Sequence, residues 1–356
     1  MADNILHWRL LEDRIADPFL HFAVEETLLR RVAEGRSEPT LRLRHTAPSV
    51  WLGVYQDPSA EVDLAACRTK GLPVVRRPNP GGAVYQDAGT FCYSATFRKH
   101  PTFEALGIHQ THELYRIFGD LVVGLCATFG VTAETSPGND VLVGGRKVYG
   151  SAQIELGDAV AHSGTFLVQA DLEVMASVLR PASLKFSDKD CTRLRDRVVN
   201  LAEVVGRPLS AQEVMAQLPR EWAARLPVVL HPGTLTDSER REAESLWREK
   251  YAMESWTFPR RRPFSTSLAT KASSGLVQLD LVLEGDRISS IEVGGDFLLA
   301  RQETLASFLR SAKDRTIPEA LEQLSQSSLP TDLRQALAHL LMEGAQRPAL
   351  EEANHP

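Results

Sequence analysis

The segment from Val74 to Ser94 brings together residue types that bind anions. Arg76 and Arg77 precede Gly81 and Gly82 in a loop rich in proline and glycine. Glycine lets backbone N–H groups approach an anionic ligand closely, and arginine pairs with phosphate or carboxylate oxygens. The segment therefore predicts an anion-binding loop, although an ordinary β-hairpin loop flanked by surface arginines has the same composition.

A second candidate is Lys147, which follows the dipeptide Gly144-Gly145 in a short β-rich run. An ammonium group on a strand beside small residues can hold a carboxylate or phosphate as a point charge. Asn139 and Asp140 come just before this run, and a carboxylate near an anion site suits Mg²⁺ or an ammonium group. The alternatives are a solvated lysine near a turn and an ordinary Asn-Asp turn.

The sequence patterns that would indicate a metal site or a disulfide are weaker than those for anion binding. His109 and His112 are spaced for one face of a helix, but no third ligand lies nearby in the sequence. Cysteines are few and scattered, without a CxxC pair, which disfavours a disulfide framework and a structural zinc site of the usual kind. Such cysteine usage is typical of a reducing compartment. The four cysteines are Cys67, Cys92, Cys126 and Cys191.

Composition limits the class of partner. The length of 356 residues predicts two or three domains. A composition of 43% hydrophobic and 24% charged residues is typical of globular proteins. Forty Lys and Arg against 46 Asp and Glu give a net charge of -6, which argues against nucleic acid as a partner. The basic run Arg260-Arg261-Arg262 fits a solvated linker. No apolar run of about 18 residues is present, so we expect no membrane partner and a cytoplasmic protein.

The elements that must position these residues alternate between strands and helices in the first half. Apolar spacing predicts one helix from Phe19 to Val32 and another from Glu104 to Phe129, with Gly130 as its C-cap. Strand-like runs begin at Leu41, Ser49 and Gly164. The run from Gly138 to Gln153 predicts a hairpin that turns at Gly144-Gly145.

The second half predicts a helical region and then a separate module. Helical spacing runs from Ser210 to Tyr251, and Asp237 begins a capped, highly charged helix. We predict a catalytic domain over 1–258, a linker over 259–263 and a C-terminal domain over 264–356. The C-terminal domain is predicted to contain two strands, Leu276–Leu283 and Ile288–Val293, followed by the helices Glu303–Ala312, Pro318–Leu324 and Asp332–Met342.

Taken in order, these segments resemble the lipoate–protein ligase A family over nearly the full chain. The family's pattern of two arginines, a polar residue and three glycines is matched from Arg76 to Thr90. Its Asn-Asp and lysine strand are matched from Asn139 to Gln153, and its Gly-Thr strand by Gly164-Thr165. Its Arg-Val-x-Asn-Leu is matched from Arg197 to Leu201.

This resemblance implies an α+β fold related to biotin ligases and class II synthetases. It has a mainly antiparallel central sheet in the catalytic domain and a small α+β accessory domain at the C-terminus. Family members use ATP and Mg²⁺ to convert lipoate to lipoyl-AMP, and octanoate is a related substrate. They then pass the acyl group to a lysine of a lipoyl-carrier protein domain.

The resemblance also implies roles for particular residues. Lys147 is implied as the catalytic cation that contacts both the acyl carbonyl and the adenylate phosphate. Asp140 would lie beside the phosphate and Mg²⁺, and Arg77 would help to hold the acid and its phosphate partner. The remaining binding residues that the resemblance implies are Asn79, Gly81, Gly82, Ala83, Val84 and Thr90 for nucleotide or lipoate, and Ser151, Ala152, Gly164 and Thr165 for the acyl slot.

The chain departs from the family pattern at several of these positions. Pro80 replaces the first glycine of the triplet and removes an N–H donor, while Gln86 and Ser163 replace histidines. Thr90 and Gly138 also differ from the family residues. Tyr149 stands where a small residue is usual, and strict alternation along a strand would place it on the same face as Lys147.

Two alternatives remain open from the sequence. Octanoyl or lipoyl transferases of the same superfamily use a nucleophilic cysteine and no ATP, but residues 127–190 contain no cysteine. A degenerate, non-catalytic protein that binds lipoate or a lipoylated carrier is the other alternative. The presence of Lys147, Asp140 and Gly81-Gly82 favours the enzyme.

Overall fold

The computed structural model describes residues 5–45, 47–180, 194–259 and 264–352. Its strands are β1 (Leu6–Asp13), β2 (Thr40–Arg44), β3 (Ser49–Leu52), β4 (Val74–Arg76), β5 (Val84–Gln86), β6 (Thr90–Arg98), β7 (Glu134–Thr135), β8 (Asp140–Val143), β9 (Arg146–Leu156), β10 (Ala159–Leu167), β11 (Val228–Gly233), β12 (Thr266–Ala272), β13 (Gly275–Glu284) and β14 (Arg287–Gly295).

The longest helix lies at the end of the described chain, and many of the others span fewer than ten residues. The helices are α1 (Pro18–Ala33), α2 (Pro58–Glu61), α3 (Leu64–Thr69), α4 (Lys99–Leu106), α5 (Leu114–Ala127), α6 (Leu172–Val178), α7 (Leu194–Arg197), α8 (Leu201–Val205), α9 (Ala211–Met215), α10 (Leu218–Arg225), α11 (Asp237–Leu246), α12 (Glu254–Thr257), α13 (Gln302–Ala312), α14 (Ile317–Gln326) and α15 (Thr331–Glu352).

An eight-stranded sheet forms the centre of the molecule, in the order β11-β1-β2-β6-β10-β9-β8-β7. Its pairs from β2 to β7 are antiparallel, and β1 runs parallel to both β2 and β11. A three-stranded sheet, β4-β3-β5, carries the two ends of the glycine loop. The predicted α+β class with a mainly antiparallel central sheet is confirmed.

The main core lies between the eight-stranded sheet and α5. Phe118 and Leu121 of α5 pack on Tyr93 of β6 and Tyr149 of β9, and Trp222 of α10 completes this aromatic layer. Helix α1 packs on the opposite face of the sheet. Its N-cap is Asp17, whose carboxylate accepts a hydrogen bond of 2.8 Å from the N–H of Phe19.

The C-terminal strands and helices build a core of their own. Strands β12, β13 and β14 form an antiparallel sheet, and its apolar face is covered by α13, α14 and α15. The predicted strand pair and the three helices are therefore present, together with β12, which the sequence analysis missed. The domain boundaries stay a prediction, and the basic run Arg260-Arg261-Arg262 lies outside the described residues.

Two helix predictions are wrong. The predicted helix from Glu104 to Phe129 is divided into α4 and α5, because Gly107 adopts a left-handed conformation that ends α4. The second helix ends at Ala127, ahead of the predicted cap at Gly130. The predicted helical run from Ser210 to Tyr251 is interrupted by β11, whose Val228 pairs with Leu6 of β1 in the main sheet. Among the described residues, no helix combines the length and apolar character needed to cross a membrane.

Candidate active site

A cavity of about 210 Å³ lies between the eight-stranded and the three-stranded sheets. Strands β9 and β10 form one wall, and the segment from Arg77 to Tyr85 forms the facing wall. Helices α1, α6 and α7 contribute further lining residues. The lining residues are Phe22, Glu25, Arg44, Trp51, Arg77, Asn79, Gly81, Gly82, Ala83, Val84, Tyr85, Asn139, Lys147, Tyr149, Gly150, Ser151, Ala152, Ser163, Gly164, Thr165, Leu167, Met175, Leu179, Leu194 and Val198.

The predicted site residues converge on this cavity from separate parts of the chain. The lining includes eleven of the thirteen, and the other two are Asp140 and Thr90. Asp140 contacts a lining residue, since its Oδ1 atom lies 2.7 Å from Nζ of Lys147. Thr90 lies behind the wall, where it is buried and its hydroxyl donates a 2.8 Å hydrogen bond to Gln86. The structure therefore does not place Thr90 against the cavity.

Lys147 reaches Asp140 because the hairpin β8–β9 contains a β-bulge. The predicted Gly144-Gly145 turn is present, with φ values of 56° and 75°. Asp140 pairs with Gly150 and Val141 with Tyr149, but Leu142 pairs with Lys147, so one extra residue lies in β9. Paired residues share a face of the sheet. The bulge therefore places Lys147 on the face of Asp140 and Gly150.

The expectation that Tyr149 shares the face of Lys147 is wrong for the same reason. Tyr149 is 1% exposed and its ring packs beneath Gly164, on the side of the sheet that α5 covers. Its hydroxyl lies 2.7 Å from that of Tyr93 and 3.3 Å from Nε2 of His162. Tyr149 is therefore a core residue that also borders the cavity.

The side chains of Arg76 and Arg77, which precede the glycine loop, form hydrogen bonds with different segments of the backbone. Arg77 lines the cavity, and its guanidinium donates to the carbonyl oxygens of Trp51, Pro80 and Gly82 at 2.8–3.3 Å. Burial lowers the pKa of Arg77 to about 10. Arg76 is not among the lining residues and instead contacts the backbone around α2 and α12.

The glycine loop is held in place by close backbone packing. A side chain at Gly53 would collide with the carbonyl oxygen of Gly81, so only glycine fits beside the loop. The carbonyl oxygen of Asn79 accepts a hydrogen bond of 3.1 Å from the N–H of Val54. The side-chain Nδ2 of Asn79 is buried and has no hydrogen-bond partner among the described residues, which leaves it available to a ligand.

A buried ion pair at the inner end of the cavity was missed by the sequence analysis. Glu25 of α1 is paired with Arg44 of β2 and accepts a hydrogen bond from the hydroxyl of Ser163. Arg44 also lies over the ring of Trp51. A glutamate within the apolar stripe of α1 was the available signal, because a carboxylate in such a position needs a buried partner.

The described thiols lie outside the cavity lining. Burial raises the pKa values of Cys67 and Cys92, and it raises that of Cys126 to about 12. The reactive thiolate is therefore disfavoured at each of these positions. Cys191 lies outside the described residues. No cluster of three or more His, Cys, Asp or Glu residues that could hold a metal ion occurs in the described part of the chain, which includes His109 and His112.

Comparisons with known proteins match the chain to one family. The model of the lipoyl protein ligase A/B catalytic domain matches residues 17–223. Octanoyltransferase LipM of Brevibacillus brevis is 28% identical, over 71% of this chain and 99% of its own length. Lipoate–protein ligase 1 of Staphylococcus aureus is 26% identical, over 80% of this chain and 83% of its own length.

Solved structures give the same result. The bipartite lipoate protein ligase of Thermoplasma acidophilum, described with its E2 lipoyl domain, is 27% identical, with a TM-score of 0.63 over 73% of this chain and all of that chain. Lipoate-protein ligase A bound with ATP is 26% identical, with a TM-score of 0.61 over 71% of this chain and 99% of that chain. Because the family model spans more than half of its residues, the chain belongs to the lipoyl protein ligase A/B catalytic domain family.

Proposed function

We propose that this protein is an ATP-dependent ligase that activates lipoate, or octanoate, as an acyl-adenylate and transfers the acyl group to a lysine of a carrier domain. The observation that carries the proposal is the position of Lys147. Its ammonium group lies at the cavity wall beside Asp140, and the backbone of Gly81 to Val84 lines the same cavity. A fixed cation between an acyl slot and a phosphate-binding loop suits adenylation.

In the first half-reaction, a carboxylate oxygen of the acid attacks the α-phosphorus of ATP, and pyrophosphate leaves. Two anions must approach each other for this bond to form, so the Lys147 ammonium would stabilise the charge that accumulates between them. Arg77 would add positive charge at the loop. The backbone of Gly82, Ala83 and Val84 would hold the nucleotide, together with the Nδ2 of Asn79, which has no partner within the described part of the chain.

The acyl chain would occupy the part of the cavity between β9 and α6. Its walls there are small or apolar, and they include Ala152, Gly164, Leu167 and Met175. Burial of an aliphatic chain in such a slot stabilises the complex by about 0.8 kcal/mol for each CH₂ group. The backbone of Ser151 is held in place by Asn139. The N–H of Ser151 donates a hydrogen bond of 2.9 Å to the carbonyl oxygen of Asn139.

In the second half-reaction, the neutral amine of the carrier lysine attacks the acyl carbonyl carbon. An amide bond forms, AMP leaves with the electrons of the anhydride bond, and the amine loses a proton to solvent. Lys147 would stabilise the negative charge on the phosphate of the departing AMP, as it would stabilise the α-phosphate in the first half-reaction. The protein partner in this proposal is a lipoyl-carrier domain, and the related bipartite ligase described with its E2 lipoyl domain supports it.

The residues present fit a magnesium ion that arrives with the nucleotide. Mg²⁺ in nucleotide sites is usually bound through one or two carboxylates together with phosphate oxygens, and Asp140 supplies one carboxylate beside Lys147. The metal would reduce the charge of the triphosphate. Asp140 would exchange its ion pair with Lys147 for a contact with that metal when nucleotide binds.

Relatives support this proposal and also provide the second candidate. One relative is named as a lipoate ligase, and one related structure contains ATP. One relative is named as an octanoyltransferase, so the second candidate is acyl transfer. We take that route to use a cysteine thioester and no ATP. The raised thiol pKa values of Cys67, Cys92 and Cys126 argue against that route at these positions, which leaves Cys191 as its candidate nucleophile.

ATP–pyrophosphate exchange tests the proposal without a carrier protein. We expect exchange that requires lipoate or octanoate and does not occur with biotin. Absence of exchange with every acid, together with an acyl-thioester on Cys191 after incubation with an acyl-carrier donor, would establish the transferase instead. Absence of both, with lipoate still bound, would establish a non-catalytic binding protein.

A further inference from the structure

A buried polar cluster lies directly behind one wall of the acyl slot. Gln86 of β5 is fully buried, and its Nε2 donates a hydrogen bond of 3.2 Å to the hydroxyl of Thr165. Its Oε1 accepts hydrogen bonds from the hydroxyl of Thr90, at 2.8 Å, and from the thiol of Cys92, at 3.4 Å. The amide of Gln86 therefore joins three side chains.

This cluster connects the two sheets that enclose the cavity. Gln86 belongs to the three-stranded sheet, where it pairs with Ser49. Thr165 and Cys92 are paired with each other on β10 and β6 of the eight-stranded sheet. The bond between Gln86 and Thr165 is thus a side-chain link from one cavity wall to the other.

The cluster also fixes which part of Thr165 faces the ligand. Thr165 lines the cavity, whereas Gln86 and Cys92 do not. The Thr165 hydroxyl contacts both of these buried partners, since its Oγ1 lies 3.2 Å from Sγ of Cys92. With the hydroxyl held behind the wall, the methyl group is the part of the side chain left for the cavity.

We propose that Gln86 is a specificity-determining positioning residue, which holds the Thr165 hydroxyl out of the acyl slot and so keeps that wall apolar. The assignment rests on the proposed use of the cavity for an aliphatic acid. Without the amide of Gln86, the hydroxyl would keep only its contact with the thiol of Cys92, which is a weak hydrogen-bonding group. Rotation toward the acyl chain would then leave the hydroxyl unpaired when ligand binds. An unpaired buried hydroxyl disfavours the complex.

A double-mutant cycle tests the proposal by calorimetric titration of octanoate without ATP. Gln86→Met keeps the length of the side chain and removes both hydrogen-bonding groups. We expect it to weaken octanoate binding about tenfold in the wild-type background and less than twofold in a Thr165→Val background, where no hydroxyl is left to hold. The assignment would be overturned if Gln86→Met weakened octanoate binding by the same factor in the two backgrounds, or if it had no effect on binding in either.

A second variant keeps the test valid if Gln86→Met does not fold. Thr165→Ser keeps the hydroxyl bonded to Gln86 and removes only the methyl group, so octanoate binding should weaken about fourfold. Unchanged affinity would contradict the assignment, because the hydroxyl would then be the group that meets the ligand. If the wild-type protein binds neither octanoate nor lipoate, the proposed function fails and the assignment fails with it.

Discussion

Lys147 and Asp140 owe their contact to the single extra residue in β9. Without the bulge, alternation would turn Lys147 to the face of Tyr149, which is filled by the aromatic core. A cation there would be buried and far from Asp140. The chemistry proposed for this site therefore depends on the pairing register of one hairpin.

At the residue scale, the first prediction is that Lys147→Ala folds but forms acyl-adenylate at least about 100-fold more slowly than the wild-type protein. The side chain is 37% exposed, so its removal leaves no core cavity. Single-turnover formation of lipoyl-AMP measures the effect. Lys271→Ala, in β12 of the C-terminal sheet, is the matched control, and a normal rate in Lys147→Ala would contradict the role.

A second residue-scale prediction concerns acid stability. His162 is fully buried, and burial lowers its pKa to about 3. The unfolded chain binds a proton at His162 below about pH 6.5 while the folded chain does not, so acidification destabilises the fold between those two pKa values. We expect His162 to lower the free energy of unfolding by about 1.4 kcal/mol for each pH unit below 6.

Urea unfolding at pH 7.0, 6.0 and 5.0 measures this dependence in the wild-type protein and in His162→Phe. The phenylalanine variant should have the shallower pH dependence, whatever its stability at pH 7. His339→Phe, which replaces an exposed histidine of α15, is the control. Parallel pH profiles for wild-type and His162→Phe would rule out a neutral, buried His162.

At the element scale, Arg76 joins segments that are distant in the sequence. Its guanidinium donates hydrogen bonds of 2.8–3.1 Å to the carbonyl oxygens of Gly53, Val54, Gln56, Trp256 and Thr257. It therefore fixes α12 and the turn after β3 beside the glycine loop. The adjacent Arg77, which directly follows β4, lines the cavity instead.

We predict that Arg76→Met destabilises the fold by about 3 kcal/mol, because several buried carbonyl groups lose a charged donor. The change in thermal unfolding temperature measures this effect. Arg68→Met, at an exposed position of α3, should have little effect. An unfolding temperature equal to that of the wild-type protein would show that water replaces the guanidinium without cost.

Local signals in the sequence were sufficient for several elements. The Gly144-Gly145 turn, the capped helix that begins at Asp237 and the strand that begins at Ser49 are all present. Each depends on residues close in sequence. The bulge in β9 and the parallel strand β11 were missed, because both are fixed by pairing with a partner strand, and for β11 that partner is β1 at the other end of the catalytic domain.

In the candidate site too, residues of local sequence motifs were predicted, whereas residues positioned by packing between distant elements were missed. Motif residues from the glycine loop, β9 and β10 line the cavity together. Glu25, Arg44 and Met175 line it as well, although the sequence analysis did not select them. Glu25 and Met175 line it because of how α1 and α6 pack against the sheets, and spacing along one helix does not determine the element that it faces. Arg44 lines it because of the position of β2 in the eight-stranded sheet.

At the scale of the whole molecule, the C-terminal domain lies against the glycine loop. Leu298 packs on Gly81, and the carboxylate of Asp296 lies beside Gly82. The side-chain amide of Gln302 donates a hydrogen bond of 2.7 Å to the carbonyl oxygen of Pro78. A nucleotide phosphate at the loop would therefore lie close to a carboxylate of the neighbouring domain.

We predict that ATP together with lipoate changes the small-angle scattering profile, because repulsion between the phosphate and Asp296 favours a displaced C-terminal domain. Lipoate alone should not change the profile, since the residues that line the proposed acyl slot precede the C-terminal domain in the chain. Profiles that superimpose with and without the two substrates would contradict this movement.

In the proposed reaction, activation uses ATP and Lys147 and does not use a cysteine. Lipoyl-AMP is therefore best measured by mass spectrometry in quenched reactions of a variant in which Cys67, Cys92, Cys126 and Cys191 are all serine. We predict that this variant, wherever it remains folded, forms lipoyl-AMP at close to the wild-type yield and forms none when Lys147 is also alanine. Loss of the product on replacement of Cys191 alone, with an acyl-thioester trapped on that residue in the wild-type protein, would contradict the claim.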